Sequence, residues 1–182
     1  LQAAGVDVTV LKTDRLTLTP VAVDDYDDLC ALWGDTAFTT SLLPKAMTRE
    51  EVWLRLLRDI GQWQVLDYGS WSVRETASGD YIGGIAVLEH RRMMTPAFDA
   101  PELGWGIARR FQGHGLAHEA LRAVLDWCDR TLNDSRTVCM IDPENARSHA
   151  LARRVGYRRY AETSYKGGPV ALLERPARSP SP

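Results

Sequence analysis

Two neighbouring segments decide the fold of this chain: Glu102-Leu-Gly-Trp-Gly-Ile107 and Arg110-Phe-Gln-Gly-His-Gly-Leu-Ala117. The first predicts a strand whose glycines are typical of a bulge or of a close backbone approach. In the second, Gly113 and Gly115 predict a turn. The apolar residues that follow recur at helical spacing and predict a helix over 115–132. The pair therefore predicts a strand, a glycine turn and a long helix in sequence.

A glycine turn that leads into a helix is a potential anion site. The first N–H groups of a helix have no intrahelical partner, and the helix dipole places partial positive charge there. Glycines let a phosphate approach the backbone closely. The turn alone is weak evidence, because many such glycines only redirect the chain. It lacks the lysine of a nucleotide P-loop, and His118 stands where a dinucleotide-binding turn has its third glycine.

Outward from this turn, the hydrophobic pattern predicts one alternating series of strands and helices. The expected strands are Arg15–Thr19, Trp71–Glu75, Tyr81–Leu88, Glu102–Ile107, Val138–Ile141, Tyr157–Thr163 and Val170–Glu174. The expected helices begin at Asp24 or Asp25, at Thr48, at Gly115 and at Asn145. This order predicts an α/β fold, with a mixed central sheet of about seven strands and helices on both faces.

Size and charge narrow the function classes. The 182 residues fit one domain, expected over 1–176, and the Pro- and Ser-rich tail 177–182 is expected to be disordered. The net charge of −2 and the pI of about 6.1 argue against nucleic-acid binding. No apolar run reaches the length of a membrane span. The three cysteines form no C-x-x-C pair, so a reduced, cytoplasmic protein is expected. No signal peptide is recognised, and the absence of an initiator methionine suggests a trimmed start.

A second feature lies downstream, in Asn145-Ala-Arg-Ser148 and Gly156-Tyr157. By itself it is typical of an ordinary helix, with Asn145 as N-cap and Gly156 as C-cap. Together with Arg110-Phe-Gln-Gly-His-Gly115 it resembles the GNAT superfamily of N-acetyltransferases. The family's signatures are [Q/R]-x-x-G-x-[G/A] and N-x-x-S followed by G-[F/Y]. With Glu102-Leu-Gly-Trp105, the chain resembles the branch that contains the ribosomal-protein N-terminal acetyltransferases.

The resemblance implies a fold and a co-substrate, acetyl-CoA. Two neighbouring strands would splay apart, and the pantetheine arm would bond to the backbone near Trp105 and Ile107. Arg110 occupies the first position of the signature. Asn145 would also contact the cofactor, as would Ser148. The pyrophosphate would be held by backbone amides of the turn, at Gln112, Gly113, His114, Gly115, Leu116 and Ala117. His114 and His118 have the spacing of a metal pair, but no third ligand matches, so no metal is expected.

Catalysis would be a direct attack of a neutral amine on the thioester, with a base to take its proton. Glu102 is the first candidate for that base; the alternative is a surface carboxylate. Many members of the family use a tyrosine seven residues after the asparagine as the acid, but Ala152 stands there. Ser148 would then hydrogen-bond the departing sulfur.

The acceptor stays open between a protein N-terminus and a small-molecule amine. Its recognition is expected from the first two helices and from the loops 34–45 and 90–101, where Trp33, Phe38 and Met93, together with Trp71, could line a pocket. Family members are often dimers, which leaves a homodimer open. Because the usual tyrosine is missing, a non-catalytic acyl-CoA-binding regulatory module is the alternative to an enzyme.

Overall fold

The computed structural model describes residues 9–40, 42–133 and 136–178. The strands are β1 (Leu11–Lys12), β2 (Leu16–Pro20), β3 (Ser70–Glu75), β4 (Tyr81–Leu88), β5 (Glu102–Ile107), β6 (Arg136–Ile141), β7 (Arg158–Tyr165) and β8 (Gly168–Pro176). The helices are α1 (Tyr26–Trp33), α2 (Thr36–Thr39), α3 (Arg49–Leu66), α4 (Leu116–Thr131) and α5 (Ala146–Arg154). The expectations for the start of the chain and for its tail fall largely on 1–8 and 179–182, which lie outside the described residues.

One eight-stranded sheet has the order β1-β2-β3-β4-β5-β6-β8-β7. The α/β fold with a mixed sheet is confirmed, with one strand more than expected. The additional strand is β1, whose two residues are too few to produce a period-2 pattern. The loop expected over 34–45 also contains a short helix, because α2 (Thr36–Thr39) forms a single turn capped by the Asp35 side chain.

Only β5 and β6 are parallel neighbours among the described strands. Their sole register pair is Glu102 with Val138, and the Val138 N–H donates to the Pro101 carbonyl at 3.0 Å. Beyond this pair the two strands share no further ladder, so a gap opens between them toward the end of β5. A gap of this kind leaves backbone groups unpaired and available to a ligand.

The two faces of the sheet are covered by different helices. Paired residues of neighbouring strands lie on the same face, and Ser72, Gly84 and Gly106 are such a row. Ser72 contacts Asp25, directly before α1, and a side chain on Gly106 would meet Phe38 of α2. The opposite face carries α4, whose Trp127 lies 5.1 Å from Trp71 of β3 between ring centroids.

Local sequence signals set the helix positions. The capping box expected at Thr48 is present: the Thr48 hydroxyl accepts from the Glu51 N–H, and the Glu51 carboxylate accepts from the Thr48 N–H. In α4, Ala120, Leu121 and Val124 are fully buried against the sheet. That burial fixes the helix against the end of β5. No helix in the described ranges is long and apolar enough to cross a bilayer.

Candidate active site

The turn after β5 has the shape of an anion cradle. Residues 109–111 form a single 3-10 turn, and Gly113 and Gly115 then adopt φ of +83° and +77°. Side chains other than glycine rarely adopt these angles. A Cβ atom built on Gly113 would meet nothing within 4 Å, so the backbone is open on that side. The two glycines therefore let the chain turn sharply and leave room for a ligand beside it.

The N-terminus of α4 points its free N–H groups at this turn. Gly115 is the N-cap and makes no side-chain cap bond. The Glu119 N–H donates to the Gly115 carbonyl at 3.1 Å, so the N–H groups of Leu116, Ala117 and His118 precede the first intrahelical bond. Leu116 is buried and anchors the helix, whereas Gly113 and His114 are exposed. Free donors and the positive end of the dipole favour a phosphate at this position.

Hydrogen bonds from Thr13 and Arg15, just before β2, support the turn, and this group of contacts with Glu119 is called the clamp below. Arg15 donates to the His114 carbonyl at 2.9 Å and to the Glu119 carboxylate at 2.7 Å. Glu119 also accepts from the Thr13 hydroxyl and from the Arg15 N–H. Burial opposes ionisation of Glu119, but these hydrogen bonds outweigh it and lower its pKa. The clamp neutralises a carboxylate that would otherwise repel a phosphate at the same helix end.

Helix α5 reaches the turn from the other side. The Gln112 side chain donates to the Ile107 carbonyl at 2.8 Å and accepts a hydrogen bond from Arg147. Asn145 caps α5, because its Oδ1 accepts from the Ser148 N–H at 3.1 Å. Its amide NH₂ stays on the outside of that cap. Asn145 and Ser148, both half-buried, are thus tied through Arg147 to the glycine turn.

The backbone of β5 faces the gap at the residues expected from the resemblance. The Ala108 N–H donates to the Ile82 carbonyl of the neighbouring strand at 2.8 Å. In an antiparallel pair the direction of backbone groups alternates, so those of Trp105 and Ile107 point away from β4 and toward β6. The N–H of each is oriented to bond an extended ligand in the gap. The Trp105 side chain lies on the α4 face, near Tyr157.

Glu102 is the first residue of β5, at the end of the strand away from the glycine turn, and it is buried with only 5% exposure. The alternative interpretation as a surface carboxylate is therefore wrong. Arg92 donates to both carboxylate oxygens, at 2.7 and 2.9 Å, and to the Tyr165 hydroxyl at 3.1 Å. Burial works against the charge of Arg92, but the bonds to Glu102 and Tyr165 outweigh it and raise its pKa. Through its hydrogen bond to Tyr165, Arg92 also links the loop before β5 to the β7–β8 hairpin.

A cavity of about 270 Å³ lies beside this pair. Its wall includes Tyr68, His90, Phe98 and Glu102. Burial, and then the charges of Arg58 and Arg92, lower the pKa of His90 to about 4, so its imidazole is neutral at physiological pH. Its Nε2 is buried without a hydrogen-bond partner among the described residues. Such an atom in a cavity wall is available to a polar ligand.

Of the four side chains expected to line a pocket, Trp33 and Phe38 lie near β5, whereas Trp71 and Met93 do not line a pocket. Phe38 packs against Gly106, on the same face of the sheet as Glu102. Its ring centroid lies 5.2 Å from that of Trp33. Trp71 is a correction: it is 1% exposed in the core, because its ring fills the space next to α4. Met93 is a second correction, because its side chain is 94% exposed.

Sequence patterns did not identify Arg92 or His90 as neighbours of Glu102. Both lie in the loop between β4 and β5, which has no period to follow. The usable signal was their proximity in sequence to the end of β4, which is weak.

The chain is similar to known acetyltransferases in both sequence and fold. The family model "Acetyltransferase (GNAT) domain" matches residues 15–158. A GnaT-family acetyltransferase structure from Bordetella pertussis has a TM-score of 0.81 and 34% identity, and the match covers 92% of this chain and 99% of that chain. The [Ribosomal protein uS5]-alanine N-acetyltransferase of Escherichia coli (strain K12) is 34% identical over 73 residues, which are 40% of this chain and 38% of that enzyme.

A structure of the ribosomal L7/L12 alpha-N-protein acetyltransferase RimL in complex with coenzyme A has the same fold. Its TM-score is 0.76 at 18% identity, over 92% of this chain and 98% of that chain. The matched family segment contains β5, the glycine turn and α5. The expected family is confirmed, and its members use acetyl-CoA. This chain belongs to the GNAT acetyltransferase family and is an enzyme of the N-acetyltransferase type.

Proposed function

We propose that this enzyme holds acetyl-CoA along the gap beside β5 and transfers its acetyl group to a primary amine. The amine would enter from the side of the sheet on which α1 and α2 lie and where Arg55 of α3 stacks on Trp33 of α1, called the α1–α3 face below. The observation that carries the proposal is the glycine turn at the N-terminus of α4. Its positive φ angles and its free N–H groups fit a pyrophosphate. The backbone amides of Gln112 to Ala117 are the proposed donors, and the exposed Arg110 adds positive charge beside them.

The thioester end of the co-substrate would lie against the middle of β5. The N–H groups of Trp105 and Ile107 face this gap, and one of them would stabilise negative charge on the carbonyl oxygen under attack. Asn145, through its free amide NH₂, would contact the pantetheine arm. The Ser148 hydroxyl would donate to the departing sulfur. Ala152 is fully buried in the core, so a tyrosine would not fit there without displacing neighbours.

The Glu102 carboxylate is the proposed acceptor of the amine's proton. A carboxylate offers about four lone pairs, and Arg92 uses two of them. The remaining two can bond an incoming amine. Arg92 also fixes the orientation of the carboxylate by bonding to both of its oxygens. Glu102 thus positions the amine as well as accepting its proton.

The alternative of a non-catalytic acyl-CoA-binding module, which the alanine at 152 suggested, is disfavoured by the family match. Turnover of any amine would exclude it directly. The first test is calorimetric titration of the protein with acetyl-CoA, with NADH and ATP as controls. Binding of acetyl-CoA alone, followed by acetylation in an amine screen, is the expected result. Preference for ATP or NADH would contradict the proposed use of the turn. Cys30 and Cys139 form no disulfide, which fits the proposed reducing, cytoplasmic setting.

A further inference from the structure

A group of charged side chains lies on the α1–α3 face, close to Glu102. It contains three guanidinium groups and two carboxylates. Arg92 is engaged by Glu102, as described above. Arg58 donates twice to Asp59, at 2.6 and 2.8 Å, and Asp59 is 7% exposed. One guanidinium, that of Arg55, is therefore in excess.

Arg55 makes only a long ion pair with Asp59, a carboxylate that it shares with Arg58. Its Nε lies 3.8 Å from Asp59 Oδ2, which is beyond hydrogen-bond length. Its guanidinium stacks on the Trp33 ring, 4.0 Å from the centroid. Trp33 contacts Phe38, which packs on Gly106 of β5. The side chain is 26% exposed, so this oriented cation remains accessible on the side from which the amine would enter.

Three arginines lie around His90. Burial, and then the charges of Arg58, Arg92 and Arg55, lower the pKa of His90, while Asp59 acts in the opposite direction. Burial likewise lowers the pKa of Arg55, and Arg58 adds to that effect against the attraction of Asp59. Because Arg55 and Arg58 share one carboxylate, that of Asp59, a negative ligand group beside Arg55 would add a favourable interaction.

The surface beside this cluster has two depressions. The first is the cavity at Glu102 and His90 described above. The second, of about 360 Å³ and more open, is lined by Met47, Glu51, Leu54, Arg55 and Arg58. His90 lines the first depression and Arg58 lines the second. The two residues are close enough for the charge of Arg58 to lower the pKa of His90. Glu51 does not offset the arginines, because it pairs with Lys45 and caps α3.

We propose that the acceptor is a primary amine that also carries an oxyanion, a carboxylate or a phosphate, and that Arg55 binds this group while Glu102 receives the amine. The inference rests on the proposed function and adds the class of acceptor to it. A planar guanidinium is suited to carboxylates and phosphates. A polycationic amine would meet repulsion at the same point. Arg55 is thus a specificity residue for the anionic group.

The test compares amines that differ only in the anionic group. One arm uses glycine and β-alanine against their carboxamides. A second uses phosphoethanolamine against ethanolamine, and a third uses a Ser-Asp peptide against the Ser-Asn peptide. The anionic member of at least one pair is expected to have a kcat/KM at least about tenfold higher, as one charge-assisted hydrogen bond predicts. The arm that responds identifies the source of the oxyanion.

Variants at position 55 assign the effect to the arginine. Arg55→Met keeps the apolar stem on Trp33 and should abolish the preference, while Arg55→Lys should retain part of it. Arg122→Met is the matched control, because Arg122 of α4 makes a comparable 3.7 Å ion pair with Asp126. It should leave the preference unchanged.

Three results would overturn this inference. Equal turnover of charged and neutral amines would do so and leave the proposed function standing, as would an unchanged preference in Arg55→Met. Absence of turnover with every amine, despite binding of acetyl-CoA, would remove the proposed function and the inference with it.

Discussion

Gly113→Glu is the sharpest perturbation of the proposed pyrophosphate turn. Gly113 has a φ of +83°, and a Cβ there would point into open space. The new side chain should therefore fit the free protein, but its carboxylate would occupy the position proposed for a phosphate. Gly79 is a matched control, because its φ is +79° and it also has nothing within 4 Å of a built Cβ. It lies in the β3–β4 hairpin, away from the turn.

The two substitutions should cost similar stability. A non-glycine residue in the left-handed region costs about 1–2 kcal/mol, against a typical free energy of unfolding of about 5–15 kcal/mol. For a domain of this size, this corresponds to a fall in Tm of about 2–8 °C. Both variants should therefore fold. Their difference should appear only in acetyl-CoA binding.

The expected loss of affinity follows from the donors at the turn. Displacing a phosphate from two charge-assisted hydrogen bonds removes about 3–6 kcal/mol, so the Kd for acetyl-CoA should rise at least about 100-fold. Gly79→Glu should leave it within a factor of about three. Calorimetric titration gives the Kd, and thermal unfolding shows that each variant is folded. Equal affinity in the two folded variants would refute the assignment of the turn.

Other predictions concern the pH dependence, the core and the clamp. His90 has a lowered pKa, so the unfolded chain binds more protons between about pH 6.5 and 4, and stability should fall as the pH decreases through this range. Denaturant unfolding of His90→Gln at pH 7, 5 and 4 should show a smaller fall than the wild type; an equal fall would contradict the pKa. Asp129→Asn leaves Arg175, whose side chain is 2% exposed, without its ionic partner. It should lower the free energy of unfolding by about 3–5 kcal/mol, and a loss under about 1 kcal/mol in urea titrations would argue against a buried pair. Glu119→Gln removes the carboxylate that orients Arg15 at the glycine turn, and steady-state kinetics should show a raised KM for acetyl-CoA with little change in kcat. A change confined to kcat would contradict the positioning role.

Several features could be predicted because their causes are local. The capping box at Thr48 needs two side chains three residues apart, and the helix after Gly115 follows from spacing alone. The glycine turn needs only torsion angles and free N–H groups at a helix end. The short elements β1 and α2 were missed, since two and four residues cannot establish a period.

The surroundings of Glu102 could not be predicted in the same way. Its partner Arg92 comes from an irregular loop. Tyr165, which accepts a hydrogen bond from Arg92, comes from a hairpin 73 residues further along the chain than Arg92. The wrong assignment of Trp71 to a pocket has a related origin, because an aromatic residue in a strand can face either the core or a cleft. Sequence pattern gives the alternation of faces but not what covers each face.

The sequence by itself thus determined the family, the glycine turn and the order of elements, because these depend on residues that are close along the chain. Tertiary structure alone decided the surroundings of Glu102. The stacking of Arg55 on Trp33, the pairing of Glu102 with Arg92 and the burial of His90 all arise from groups that only folding brings together. Their energies depend on burial and on distance in space, and neither quantity is encoded in local spacing.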